Sequence, residues 1–178
     1  MSDALPLTGP HWSFALALYA RPGVAEACLK LQDALGVDVN VLLFALYAAS
    51  ERGLAFEQED LAAIDRAVAP WRDEVVVKLR AIRRGLKSGP PPAPSADTEA
   101  LRDLLKKAEL RAEQIEQAAL ARWLEENAPR MRADPTDARG IVAAVAAFYA
   151  RRAGREASLG DPELQGAFDR IARAHDGG

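Results

Sequence analysis

The sequence predicts an all-α protein, a bundle of about seven helices of which two are long. Apolar residues recur at steps of three and four along most of the 178 residues, which is the spacing of helices. Aromatic residues make up only 6% of the chain and alanine is abundant, a balance typical of helical proteins. Glycine, proline and acidic residues stand where such helices would begin and end.

Three helices are predicted in the N-terminal part, at residues 12–21, 22–35 and 39–52. Gly36 suits the left-handed position that ends the second helix. Asp38 can accept hydrogen bonds from the first free amides of the third helix, which ends at Gly53. Because the third helix is apolar nearly all round, we expect it to be the most buried element.

The middle of the chain is interrupted by proline. Acidic residues from Glu57 onward favour the start of a fourth helix, and Pro70 predicts a break or kink before a new helix over residues 70–87. Ser88 to Ala96 contains four prolines and reads as an extended polyproline-type linker. A long helix follows from Asp97 to about Asn127.

Two further helices are predicted near the C-terminus, each starting at an Asp-Pro pair. Asp134-Pro135 would begin a helix that ends near Ala153, and Asp161-Pro162 one that ends near His175. The predicted organisation is a helical core (10–87), a linker (88–96), a long helix that packs back on the core (97–128) and a C-terminal appendage (129–178). We expect these parts to form one domain.

Composition excludes several classes of protein. With 23 Lys+Arg against 26 Asp+Glu, the net charge of −3 argues against nucleic-acid binding. The single cysteine excludes an internal disulfide and suits a reducing compartment. Asp3 stands where a secretory signal would carry a basic residue, and the apolar run Val39–Ala49 is shorter than a bilayer requires. We therefore expect a soluble, cytoplasmic protein without membrane contact.

A polar cluster lies between the second and third helices. Asp38 and Asn40 are explained by helix capping, but Asp33 lies in a last turn, where the helix dipole disfavours an acid. If the leucines around it bury Asp33, an arginine such as Arg80 is its expected partner. A closed polar cluster with a structural role is favoured over a ligand or metal pocket. If it is a pocket, it would be formed by Gln32, Asp33, Asp38 and Asn40, with Arg80 and Arg84 as counter-charges.

Charges also line up on two later helices. Arg80, Arg83, Arg84 and Lys87 share one side at steps of three and four, and a solvated face is the simplest interpretation. On the long helix, the glutamates at 109, 113 and 116 repel one another unless positive charge faces them. The basic stripe of an antiparallel neighbour would supply that charge.

The long helix also carries an apolar seam, at Leu101, Leu105, Ala108, Ala112, Ile115 and Ala119. This seam could pair with a helix of a partner protein or of a second copy. Motifs of common enzymes are missing from the sequence: it has no nucleophile elbow, phosphate-binding glycine loop, Cys-x-x-Cys pair, dinucleotide fingerprint or Glu-x-x-His pair. Cys28 lies on an apolar helix face and reads as a core residue.

Several blocks of sequence resemble a proteobacterial family of uncharacterised small helical proteins. The blocks are W-x-F-A-L-x-L-Y, P-G-V, A-C-L-x-L-Q-D and G-x-D-V-N-x-L-L-F, within residues 12–44, with further likeness at Trp71 and over residues 76–87 and 107–117. The resemblance covers roughly residues 10–125. It supports membership of the group and does not indicate an activity, a cofactor or a metal.

Two hypotheses of function remain open. The first is a non-enzymatic protein that acts through protein–protein contact of the long helix. The second is a small-molecule- or metal-binding protein, with or without enzymatic activity, whose site is the polar cluster and the arginines.

Overall fold

The computed structural model describes residues 5–128 and 137–177, and helices account for most of them, without a β-strand. This confirms the predicted all-α class. The α-helices are α1 Pro10–Tyr19, α2 Val24–Leu35, α3 Val39–Arg52, α4 Gln58–Trp71, α5 Val77–Gly85, α6 Ala96–Asn127, α7 Ala138–Arg152 and α8 Pro162–Asp176. Because α4 runs into α5 through a π-helical turn, the described ranges hold seven separate rods, two of them long.

Helix α3 is the central element, as predicted. Every residue from Val41 to Ala48 is buried. The Asp38 carboxylate caps the helix, because its Oδ1 accepts hydrogen bonds from the amides of Asn40, at 2.9 Å, and Val41, at 3.3 Å. Gly36 ends α2 with a φ of +74°, a left-handed conformation that favours glycine. The capping signals read from the sequence are confirmed here.

The expected break at Pro70 is wrong. Pro70 lies inside α4, and the chain continues through a π-helical turn, Arg72–Val76, directly into α5. Proline removes one amide donor from the helical ladder, and the wider turn that follows lets the rod continue without a new start. Arg72, in this turn, pairs with Asp38 and Asp65, while Arg80, about two turns further on, pairs with Glu109 and Glu113.

The proline-rich segment is not an extended polyproline linker. Residues 86–95 form turns, and the amide of Ala93 donates to the carbonyl of Pro90 at 2.9 Å. Ser95 then caps α6 at Thr98. The segment reverses the chain, so α5 and the first part of α6 pack against each other; residues 77–110 are called the α5–α6 hairpin below. Before Glu109, α6 buries only Thr98, and α5 buries no residue.

The C-terminal helices complete the core. Helix α8 packs on α2 and α7, and α7 packs on α3. Asp161-Pro162 starts α8 as predicted, since the Asp161 side chain accepts from the amide of Glu163. The start predicted at Asp134-Pro135 falls outside the described residues; α7 is capped by Asp137. Within the described ranges, none of the helices combines the length and apolar character needed to cross a bilayer.

Candidate functional site

A cleft of about 790 Å³ opens between α1 and α2 on one side and the α5–α6 hairpin on the other. Four apolar side chains at its mouth, Leu16, Leu29, Val77 and Leu110, are each at least one-third exposed, and the exposed basic residues Arg84 and Lys106 line it as well. Deeper in the cleft, buried apolar residues such as Leu43 and Val76 lie beside charged side chains. The cleft therefore combines apolar surface with charged groups along its whole depth.

Helix α6 runs along the cleft and becomes more buried toward its C-terminal end. Lys106 is exposed, Leu110 is 49% exposed, and Glu116 is only 1% exposed. All three residues line the cleft. Glu116 is the most buried of the three, and the part of the cleft around it is called the inner end below.

The acids nearer the mouth form ion pairs with arginines of α5. Arg80 lies 2.8 Å from Glu109 and 2.6 Å from Glu113, and it also donates to Gln32 Oε1 at 2.8 Å. Arg83 makes a second ion pair with Glu109. Although burial opposes ionisation, these hydrogen bonds lower the pKa of Glu109. The prediction that the basic stripe faces these glutamates across an antiparallel pair is confirmed for Glu109 and Glu113.

Glu116 has no such arginine of its own. Its Oε2 accepts a hydrogen bond from Asn40 Nδ2 at 3.0 Å, while its buried Oε1 receives none from the described residues. The Asp38 carboxyl lies within hydrogen-bonding reach of Glu116. Burial, and then the charge of Asp38, raise the pKa of Glu116 well above its ordinary range. Glu116 therefore keeps its proton to a higher pH than an ordinary glutamate does.

Behind Asp38 lies a buried ion cluster centred on Arg72. Arg72 Nη1 lies 2.9 Å from Asp38 Oδ2 and 2.7 Å from Asp65 Oδ1. Tyr149 donates its hydroxyl to Asp65 Oδ1 at 2.9 Å, and Arg152 Nη1 lies 2.9 Å from Asp65 Oδ2. Burial opposes the charge of Arg72, but the two aspartates raise its pKa above the ordinary arginine value. These contacts fix Asp38 from behind.

Five of the six residues predicted for a pocket line this one cleft, namely Gln32, Asp38, Asn40, Arg80 and Arg84. The sixth does not. Asp33 is exposed, and only its backbone carbonyl is engaged, by Arg155. The expected buried pair of Asp33 with Arg80 is therefore wrong, because the last turn of α2 presents Asp33 to solvent and Arg80 turns to α6.

Sequence reasoning missed Asp65 and underused Glu116. A signal for Asp65 was present: it follows Leu61 and Ile64 and precedes Val68 on one helix face, so it is an acid on an apolar face. Glu116 was treated as the equal of Glu109 and Glu113. No feature of the sequence distinguished it. Its lack of an arginine partner depends on how far along α6 the arginines of α5 reach.

Metal binding finds little support. No group of three or more His, Cys, Asp or Glu side chains that could hold an ion occurs in the described part of the chain. Cys28 is fully buried, and burial raises the pKa of its thiol to about 12, so it is a core residue as predicted. The chemistry available in the cleft is that of carboxyl and guanidinium groups, which bind, orient and exchange protons.

Comparisons with known proteins identify a family and no activity. No curated protein and no solved structure matches the chain. A family model described as "Protein of unknown function (DUF2390)" matches residues 10–120, which hold α1 to α5 and most of α6. The resemblance to an uncharacterised family is thereby confirmed, and the chain belongs to the DUF2390 family of proteins of unknown function.

Proposed function

We propose that this protein binds a small organic ligand in the cleft between α1, α2 and the α5–α6 hairpin. The observation that carries the proposal is Glu116, a side chain that is 1% exposed, lines the cleft and has a carboxyl oxygen without a hydrogen-bond donor. A buried polar atom without a partner costs free energy, so it suits a place that a ligand completes.

The size and lining of the cleft support this proposal. Ligand sites commonly measure roughly 300–1,000 Å³ and combine apolar walls with a few polar groups that fix orientation. Here the apolar side chains at the mouth would hold a hydrocarbon part, while Arg80, Asp38 and Glu116 would orient polar groups inside. We retain the sequence-based expectation of a soluble, cytoplasmic protein, because the acidic balance and the single cysteine favour it.

The experiment uses N-phenyl-1-naphthylamine, an uncharged dye whose fluorescence rises in apolar sites. The wild-type protein should bind it saturably at one site. Val77→Trp, at the cleft mouth, should remove that binding by filling the space. Ile82→Trp is the matched control, because Ile82 lies on the same helix, is similarly exposed and does not line the cleft.

Circular dichroism of both variants checks that they fold. No saturable signal in the wild-type protein, or equal loss in the two variants, would overturn the proposal. Retained binding in Val77→Trp would also count against it, since the dye would then sit elsewhere.

A second candidate is self-association, favoured by a separate observation on α6. Leu101 and Leu104 are exposed on the part of α6 that lacks a helix partner on that side, and with Ala108 they form a stripe at steps of three and four. Of the seam predicted in this half of the helix, Leu101 and Ala108 are exposed and Leu105 is half-buried, while Leu104 was not part of that prediction. Asp97 and Arg111 stand at opposite ends of the stripe, so an antiparallel second copy would match acid to base.

Light scattering after size-exclusion chromatography tests this candidate. The wild-type protein should show a concentration-dependent dimer, and Leu104→Glu should remain a monomer because it places a charge in the apolar contact. A wild-type protein that stays monomeric at high concentration would refute self-association without touching the cleft.

A further inference from the structure

We propose that the inner end of the cleft binds an organic ammonium group between Glu116 and Asp38, and that this cation takes the place of a proton. The inference rests on the proposed function, since it requires the cleft to be a ligand site. It adds the chemical class of the ligand, an amine with an apolar body.

Two carboxyl groups, of Glu116 and Asp38, lie side by side at this end. Glu116 Oε1 receives no hydrogen bond, while Oε2 is already held by Asn40. The Asp38 carboxyl lies beside Glu116 and is anchored by Arg72. An ammonium group has three donors and could reach both carboxyls. A carboxylate or phosphate ligand would meet like charge here, so the site selects cations.

The charge balance gives the same answer. Groups on five elements surround Glu116, either directly or through Asp38: Asp38 before α3, Asp65 of α4, Arg72 of the π turn, Glu113 of α6, and Tyr149 and Arg152 of α7. Glu113 is neutralised by Arg80. Asp73 of the π turn also pairs with Arg72, but it is 58% exposed, so water screens its charge. The three buried carboxyls, at 38, 65 and 116, face two arginines, at 72 and 152.

One carboxyl at this end thus lacks a counter-charge. A proton on Glu116 would remove the excess, and burial and Asp38 both raise the pKa of that group. A bound ammonium would supply the same positive charge. The exchange balances: the neutral Glu116 acid and the free ammonium give the carboxylate–ammonium pair and one proton released to solvent.

The rest of the cleft indicates an organic cation over a metal ion. Leu43, Val76 and Trp12 also line the cleft, and these apolar walls would cover a hydrocarbon chain. Metal ions require several charged ligands, and the described residues offer no cluster of three. An alkylamine meets both requirements, with its head group at Glu116 and its chain toward the mouth.

The test compares three probes that differ only in the head group: hexylammonium, hexanol and hexanoate. Each competes with the dye used above for the cleft. Hexylammonium should displace the dye at a concentration at least about tenfold lower than hexanol, as expected for a charge-assisted hydrogen bond, and hexanoate should be the weakest of the three. Glu116→Gln should abolish the advantage of hexylammonium. Glu126→Gln, an exposed glutamate on the same helix outside the cleft, should retain it.

The proton exchange has its own readout, which needs no variant. Hexylammonium stays protonated from about pH 5 to 7, and its affinity for the wild-type protein should rise by up to about tenfold per pH unit, since each binding event releases a proton. The affinity of hexanol should not change. Should Glu116→Gln fail to fold, this pH dependence decides the question.

The possible failures are distinguishable. If the dye does not bind the cleft, the proposed function fails and this inference with it. If the dye binds but hexylammonium is no better than hexanol, or its affinity is independent of pH, only the ammonium site is refuted.

Discussion

Replacing Asp65 with asparagine should destabilise the protein by about 3–5 kcal/mol. Asp65 is fully buried, and its two carboxylate oxygens face Arg72, Arg152 and the Tyr149 hydroxyl. The asparagine side chain is neutral, so the positive charge of Arg72, only 16% exposed, would keep a single buried acid, Asp38.

The size of the effect follows from burial. Removing one partner of a buried ion pair leaves an uncompensated charge, which costs far more than the few tenths of a kcal/mol typical of surface substitutions. Arg152 is half-exposed, so water compensates for most of its loss, and the main cost arises at Arg72. In a chain of this length, such a loss lowers the melting temperature by about 6–20 °C.

Urea unfolding followed by circular dichroism measures the change. Asp33→Asn is the matched control, because Asp33 is exposed, and its free energy of unfolding should stay within about 0.5 kcal/mol of wild type. The double variant Asp65→Asn, Arg72→Met should lose less than the sum of the single changes, by a coupling of roughly 0.5–3 kcal/mol. A change below about 0.5 kcal/mol for Asp65→Asn, or strict additivity with Arg72→Met, would refute the reasoning.

The remaining predictions concern buried titratable groups. The pKa of Glu116 is raised in the folded protein, so the free energy of unfolding of the wild type falls as pH rises above the ordinary value of 4.5. Glu116→Gln lacks this titration, so its free energy of unfolding should gain about 1.4 kcal/mol per pH unit relative to wild type, up to the folded pKa. Burial lowers the pKa of His11, so the wild-type protein should lose stability as pH falls below 6.5, and His11→Phe should lessen that loss in urea titrations at several pH values. Cys28 should react with a thiol-specific disulfide reagent only after unfolding in urea, and rapid labelling of the native protein would contradict its burial.

Local sequence signals correctly predicted the helices whose ends are set by capping residues. Helix α3 lies where its cap Asp38 and the glycines at 36 and 53 place it, because each of these residues satisfies or releases backbone groups within a few positions of itself. The start of α8 at Asp161-Pro162 is a similar case. Such features depend on neighbouring residues only, so the sequence is sufficient.

The course of the chain at Pro70 and at the proline-rich segment could not be predicted in the same way. Whether a proline breaks a helix or is absorbed by a π turn depends on what the following turn contacts. Here Arg72, in that turn, is held by Asp38, the cap of α3, and by Asp65, two turns earlier on α4. These partners are 34 and 7 residues away, and the more distant one is invisible to any local pattern.

Most of the residues predicted for a pocket line the candidate site, but their pairing was not predicted. Five of the six proposed residues line the cleft, because polar residues at the junction of α2 and α3 meet the arginines of α5 wherever those helices pack. The predicted burial of Asp33 was wrong because the sequence does not show which side of the last turn of α2 faces solvent. The isolation of Glu116 is likewise a tertiary property, since Arg80 reaches Glu113 but not one turn further.

Asp38 connects the stability of the fold to the state of the cleft. Its Oδ1 caps α3, its Oδ2 pairs with Arg72, and its carboxyl group lies beside Glu116. A charge change at Glu116 therefore acts on a residue that also holds the N-terminus of the central helix. Because α3 carries the most continuous stretch of the core, ligand binding at Glu116 should raise the stability of the whole domain and not only order the cleft. The proposed ligand and the buried ion cluster are thus expected to be energetically coupled through this one carboxylate.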